Sequence, residues 1–364
     1  MPPPAVPYDP AVHATRRVPL ILDVDTGIDD SLALLYAVGS PEAEIVAVTA
    51  LSGNAHVDDT ERNTRAILEL VGRPDIEVAP GRPVPLVRPL ELTPETHGPR
   101  GIGYATLPQP TASRSTRFGP QVIVDAARAR PGEITLVTLA PLTNVAIAVL
   151  IEPDLPRLLR RWVFMGGAFR VPGNTTPTAE WNVHCDPEAA KICLGAWQAA
   201  IDRDPATPRA LGLGLDVTEQ ARISADHVVA LARRAGSTPD DSLDPERAEG
   251  EPERRSVASN PVVRFVADAL RFYFEFHARY DGFYGAFIHD PLAVAAALDA
   301  SLVRTEAVAV DVDTSGGLAD GQTIADFRGL WGRTPNVDLA VGADAAELLG
   351  RLVERIGALA ERRA

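Results

Sequence analysis

The residues with most chemistry to offer lie together near the start of the chain. They are Asp23, Asp25, Asp29 and Asp30, in the stretch DVDTGIDD. Four carboxylates so close repel one another at neutral pH. A cation, a shared proton or strong hydrogen bonding must offset that repulsion. Calcium and magnesium take carboxylate and carbonyl oxygens, and calcium takes about six to eight of them. Asp25 and Asp30 are expected to reach one such ion.

The flanking residues say what positions these acids. An apolar run, Val18 to Leu22, leads into them, and a second, Leu32 to Val38, follows. The first reads as a buried parallel strand. The second opens on Asp29-Asp30-Ser31, good chemistry for the start of a helix. The cluster therefore sits where a central strand ends and a helix begins. In open α/β sheets, ligands bind at the carboxyl ends of strands.

The same alternation continues. Strands are predicted at Ile45–Leu51, Ile76–Ala79, Ile134–Leu139, Trp162–Met165 and near Leu211–Leu215. Further strand-like runs are Ala307–Val312, Thr323–Phe327 and Val337–Val341. Helices are predicted after Asp58 or Asp59, over 121–130 and 142–151, and after Asp186-Pro187-Glu188. Others are expected near 223–234, over Val262–Tyr280 and over 344–361. The expected fold class is α/β: a single domain with an open, mostly parallel central sheet and helices on both faces. Residues 80–118 have no clear period, and so long a loop is usually functional or disordered. It carries His97. Residues 236–259 are charged and poor in large apolar side chains, which reads as a mobile acidic insertion. Residues 1–17 read as a disordered proline-rich leader, with the folded domain over 18–364.

A formal charge of −14 argues against a nucleic acid or an anionic membrane as partner. Cys185 and Cys193 would lie about 12 Å apart on one helix, too far for a disulfide. Reduced thiols, with no signal peptide and no membrane span, point to the cytoplasm. Lys191 is the only lysine.

DVDTGIDD is similar to the opening Asp-x-Asp-x-Gly-x-Asp-Asp fingerprint of the inosine-uridine-preferring nucleoside hydrolase family. Further blocks carry the resemblance in order. They are Leu139-Ala140-Pro141-Leu142-Thr143-Asn144, Met165-Gly166-Gly167, Asn174, Glu180-Trp181-Asn182 and Asp186 to Ala190. His289-Asp290-Pro291-Leu292-Ala293, Gly321-Gln322-Thr323 and Asn336-Val337-Asp338 complete them. The resemblance implies the nucleoside hydrolase fold with its Rossmann-like core. It implies a Ca²⁺-dependent enzyme that hydrolyses the N-ribosidic bond of nucleosides to ribose and free base. Carried over by position, Asp25, Asp30, Asp290 and the carbonyl of Leu139 would hold calcium, with Asp25 as general base toward the water. Asp29, Asn54 and Asn182 would bind ribose hydroxyls, and Asn174 and Glu180 the 5′-hydroxyl. His289 would protonate the leaving base, and His97 is a second candidate for base contact. Tyr280 and Phe283 are candidates to stack on the base. The family also implies a homodimer or homotetramer.

Two departures stand out. Ala140 replaces the usual glycine of the Pro-Leu-Thr-Asn turn, and Glu219 stands where many relatives have histidine. Two other readings are weighed against the first. A haloacid-dehalogenase-type phosphatase would share the Asp-x-Asp opening, but would need a lysine at the phosphate. A calcium-dependent ribose- or nucleoside-binding protein would keep the site without catalysis.

Overall fold

The first strand, β1 (Val18–Val24), is buried because it lies inside the sheet with a partner on either side. The computed structural model describes residues 17–239, 241–245 and 254–363. The proline-rich leader, up to residue 16, lies outside the described residues. So do residue 240 and residues 246–253 of the insertion.

After β1 come α1 (Ile28–Gly39), β2 (Ala43–Ala50), α2 (Val57–Leu70), β3 (Val78–Pro80) and the short α3 (Pro94–His97). The middle of the chain forms α4 (Gly119–Ala129), β4 (Thr135–Thr138), α5 (Thr143–Ile151), α6 (Leu155–Leu158) and β5 (Arg161–Met165). Next are α7 (Trp181–Cys185), α8 (Pro187–Arg203), β6 (Ala210–Leu213), α9 (Leu215–Thr218), β7 (Arg222–Ile223) and α10 (Ala225–Arg234). The last part holds α11 (Pro261–Tyr280), β8 (Ala286–Phe287), α12 (His289–Leu298), β9 (Val303–Val312), β10 (Thr323–Asp326), β11 (Val337–Ala343) and α13 (Ala345–Glu361).

Nine strands make one sheet in the order β10-β9-β11-β6-β5-β4-β1-β2-β3, and β7 pairs with β8 apart from it. Only β9 runs against the others, antiparallel to both β11 and β10. The chain moves outward from β1 through β2 to β3, then returns to place β4 on the other side of β1. That reversal opens a crevice at the carboxyl ends of β1 and β4. Alternate residues of β1 feed two cores, one on each face of the sheet. Leu20, Leu22 and Val24 join α1, α11, α12 and α13 on one face, and Ile21 joins α4, α5 and α8 on the other. Trp162 and Trp197, with rings 4.3 Å apart, anchor the second core.

The expected single-domain α/β architecture is the one found. Several local expectations shift. His56 caps α2, leaving Asp58 and Asp59 in its first turn. Cys185 and Cys193 do not share a helix, because Asp186 ends α7 and caps α8 through its own side chain. Both thiols are free and buried. Gly27, not an aspartate, caps α1, which puts Asp29 and Asp30 inside its first turn. The described flanks of the insertion lie against α11: Ser256 N–H donates to Asp268 (2.7 Å), and buried Leu243 joins the core. Among the described residues no helix is long and apolar enough to cross a membrane.

Candidate active site

Asp25 follows β1 directly, and Asn54 follows β2 in the neighbouring loop, so parallel pairing of the strands brings them together. Asn54 N–H donates to Asp25 Oδ2 (2.6 Å), and its amide nitrogen donates to Asp30 Oδ2 (3.1 Å). Asp30 folds back over the start of α1 and accepts from the backbone of Gly27 (2.8 Å) and Asp25 (3.3 Å). Asp290 arrives from the far end of the chain, in the first turn of α12. One carboxylate oxygen each from Asp29, Asp30 and Asp290 lies within 4.8 Å of the others, and all three residues are buried.

This trio differs from the expected Asp25, Asp30 and Asp290. Asp25 stands beside it, with Oδ2 drawn to Asn54 and Oδ1 buried without a hydrogen-bond partner. Burial, then the charge of Asp30, pushes the Asp25 carboxyl well above its ordinary range. Asp29 is raised to about 7 by burial and by the charge of Asp30. Burial alone raises Asp30, to about 6, against opposing hydrogen bonds. Asp290 is also raised well up, by burial and then by Asp29. An all-oxygen donor set with excess negative charge and an orphaned Asp25 oxygen fits a hard divalent cation.

Asp23 is not part of the trio. It accepts from Thr49 Oγ1 (2.5 Å) and Asn144 Nδ2 (2.8 Å), and burial raises it to about 7.

Asp29 and Asp290 line a cavity of about 590 Å³. The long loop after β3 delivers His97, whose Nδ1 accepts from Ile28 N–H (3.1 Å). That loop turns back through Gly98, Gly101 and Gly103, all at positive φ, where a Cβ would be strained. His289 begins α12, with Nδ1 2.8 Å from Thr218 Oγ1. Burial lowers both imidazoles to about 3, so both are neutral at pH 7.

Asn182 donates to the carbonyls of Leu139 (2.9 Å) and Met165 (3.3 Å), and so orients the Leu139 carbonyl. Glu180 caps α7, its carboxylate accepting from the backbone of Asn182 (2.9 Å), Gly167 (2.9 Å) and Val183 (3.2 Å). Asn174 stands at the exposed rim, where Oδ1 accepts from Trp181 N–H (3.0 Å). Asp29, Asn54, His97, Leu139, Asn174, Glu180, Asn182, His289 and Asp290 all line the one cavity. Tyr280 and Glu219 line it too. Phe283 lies one layer behind, stacked on His277 with ring centres 5.4 Å apart.

The other motif blocks hold the frame. Asn144 ties Asp23 to the backbone of Arg82. Asp186 accepts from Thr143 and Leu86 as well as capping α8. Thr323 bridges to both backbone groups of Ala168, and Asn336 to both of Val310.

Residues 20–350 match the family described as inosine-uridine preferring nucleoside hydrolase. The chain belongs to this family. The nucleoside hydrolase is therefore a glycosidase acting on N-glycosyl compounds. It is 35% identical over 340 residues to the pyrimidine-specific ribonucleoside hydrolase RihA of Citrobacter koseri, covering 93% of this chain and 98% of that one. Its structure is similar to a purine-preferring ribonucleoside hydrolase from Gardnerella vaginalis, with a TM-score of 0.81 and 30% identity, covering 94% and 99% of the two chains. It is also similar to the plant nucleoside hydrolase PpNRh1, with a TM-score of 0.79 and 29% identity, covering 94% and 99%. The phosphatase reading falls with this membership. Lys191, on α8, is paired with Asp311 of β9 (3.1 Å) and does not line the cavity.

Sequence reasoning missed part of the wall of this nucleoside hydrolase. Tyr273, Phe276, His277 and Asp281 all line the cavity from α11 or its end. Their helical spacing reads equally well as a core stripe, so periodicity alone carries no signal for them. Trp181, also on the wall, has a buried Nε1 with no partner.

Proposed function

We propose that this nucleoside hydrolase splits the N-glycosidic bond of ribonucleosides to ribose and free base, with calcium held by Asp25, Asp30, Asp290 and the Leu139 carbonyl. One observation carries this reading. Three buried carboxylates converge, with Asp25 and its unpartnered Oδ1 also buried, and two of the three, Asp29 and Asp290, line a cavity walled by amides, imidazoles and aromatic rings. When bound, the cation would neutralise the acids and lower the pKa of a water it holds.

The residues of the chain then divide the work. Asn54 N–H fixes one oxygen of Asp25, leaving Oδ1 to take the proton of the attacking water. Bond cleavage builds positive charge on the ribose ring, which surrounding carboxylates stabilise. Asp29, Asn54 and Asn182 bind the ribose hydroxyls, so a deoxyribose would leave polar groups unpaired. Asn174 and Glu180 hold the 5′-hydroxyl, with the Glu180 carboxylate fixed by its three backbone donors. His289 acts as the acid toward the leaving base through an Nε2–H hydrogen bond, the proton that ends on the base being made good from solvent. Its Nδ1 lies 2.8 Å from the Thr218 hydroxyl, which can donate to it and so leave the ring proton on Nε2.

A second arrangement has support of its own. Because Asp29 shares the trio, Asp29 in place of Asp25 is an alternative ligand. Calcium binding by Asp25→Asn and Asp29→Asn, measured by calorimetry, separates the two. Ribose release from uridine and inosine, with and without EGTA, tests the whole reading. Turnover indifferent to EGTA would remove the cation from it. Binding without turnover would favour the nucleoside-binding alternative. Two free thiols support a reducing, cytoplasmic setting. A homodimer or homotetramer belongs to the same reading, with light scattering as its test.

A further inference from the structure

His277 stands on the wall of the cavity, 4% exposed, and the reaction above does not use it. Its Nδ1 lies 2.7 Å from Asp281 Oδ2. A carboxylate accepts hydrogen bonds, so Nδ1 carries the ring proton and Nε2 is left with a bare lone pair. That Nε2 is buried and has no hydrogen-bond partner. Buried polar atoms are nearly always paired, and an orphan on a pocket wall points to a ligand that pairs it. The ring is held in place as well as in tautomer. Phe283 stacks on it at 5.4 Å, Phe287 meets its edge at 5.0 Å, and Tyr273 lies 4.6 Å away. Burial also lowers the imidazole below its ordinary range despite Asp281, which keeps it neutral.

His97, on the same cavity, has the opposite polarity. Its Nδ1 accepts from Ile28 N–H, so its Nε2 carries the proton and donates. His97, His277 and His289 all line this one cavity. One wall therefore offers an acceptor and another a donor. A lactam presents the complement, a ring N–H beside a carbonyl.

We propose that His277, held by Asp281, selects the base of the substrate by accepting the ring N–H of a lactam nucleobase such as uracil, while His97 donates to the adjacent carbonyl. This deepens the ribonucleoside hydrolase reading and rests on it. Asp281 is a positioning residue, and His277 a specificity residue.

The test compares kcat/KM for uridine, 3-methyluridine and p-nitrophenyl riboside in the wild type, His277→Phe and His277→Gln. The wild type is expected to prefer uridine to 3-methyluridine by about 10- to 100-fold, the worth of one buried hydrogen bond. His277→Phe keeps the bulk and removes the acceptor, so that preference should vanish, mainly through KM. His277→Gln restores an acceptor oxygen and should restore the preference. A wild type that hydrolyses both uridines equally overturns the inference, and so does a phenylalanine variant that keeps the preference. The wild-type comparison needs no variant to fold. If the wild type cleaves the nitrophenyl riboside and uridine but ignores the N3 methyl, the inference alone fails. If it cleaves none of the three, the underlying reading fails with it.

Discussion

Gly53 faces Asp25 with no room for a side chain. A Cβ at position 53 would collide with Asp25 Oδ2 and stand 2.9 Å from Pro141 Cδ. The absence of a side chain here is a condition for the carboxylate to sit where Asn54 can hold it. Gly53→Ala should lower kcat/KM for ribose release by about 10²-fold, since small misplacements of a reacting group cost that much. The chain should still fold, with overpacking costing about 1–3 kcal/mol. Steady-state kinetics beside a denaturation curve would check both; an alanine variant with wild-type turnover would contradict the steric reading.

Asp25→Asn should abolish most turnover, because it removes the proposed base. A loss of about 10²–10⁴-fold in kcat is expected, typical of general acid–base groups. Single-turnover measurement of ribose release gives the number. A kcat close to that of the wild type would assign the base elsewhere.

Calcium should stabilise the chelator-treated protein. In the empty site Asp25, Asp29, Asp30 and Asp290 repel one another, and a bound cation relieves this. At a concentration about a hundredfold above Kd, binding adds about 2.7 kcal/mol to stability. The melting temperature should therefore rise with calcium. Asp290→Asn should shrink the rise, and an unchanged rise would place the ion away from Asp290.

His289→Ala should slow uridine more than p-nitrophenyl riboside, whose leaving group needs no proton. Parallel kcat/KM measurements decide it. Equal losses would leave His289 with a structural role beside Thr218.

Asn182→Ala should blur the distinction between uridine and 2′-deoxyuridine. Its amide orients the Leu139 carbonyl and is proposed to meet the ribose, so the loss should fall mainly on the riboside. A variant that rejects the deoxy analogue as strongly as the wild type would move that discrimination to other side chains.

The strand end and helix start around DVDTGIDD were legible because an apolar run, a cluster of acids and a second apolar run leave few other arrangements. Which carboxylates converge was less legible. Spacing alone does not say which of the four acids meet, and tertiary bonds from Asn54 decide how Asp25 and Asp30 turn. Glu180 read as a ligand for substrate, yet its oxygens accept three backbone N–H groups, a local geometry that sequence does not display. His277 and Asp281 were hidden in an aromatic stripe, because a pocket wall and a core face share one helical period. Asn144, Asp186 and Asn336 lie in recognisable motifs but brace loops and strands, so motif membership alone did not separate scaffold from site.

Asp290 enters the site from a helix that begins more than 250 residues after Asp30 along the chain. A nascent polypeptide must therefore carry its acids through most of synthesis without the partner that completes their grouping. Long-range closure of this kind slows folding. Any product cut short before α12 would lack Asp290 together with β9, β10, β11 and α13, and so would hold no trio.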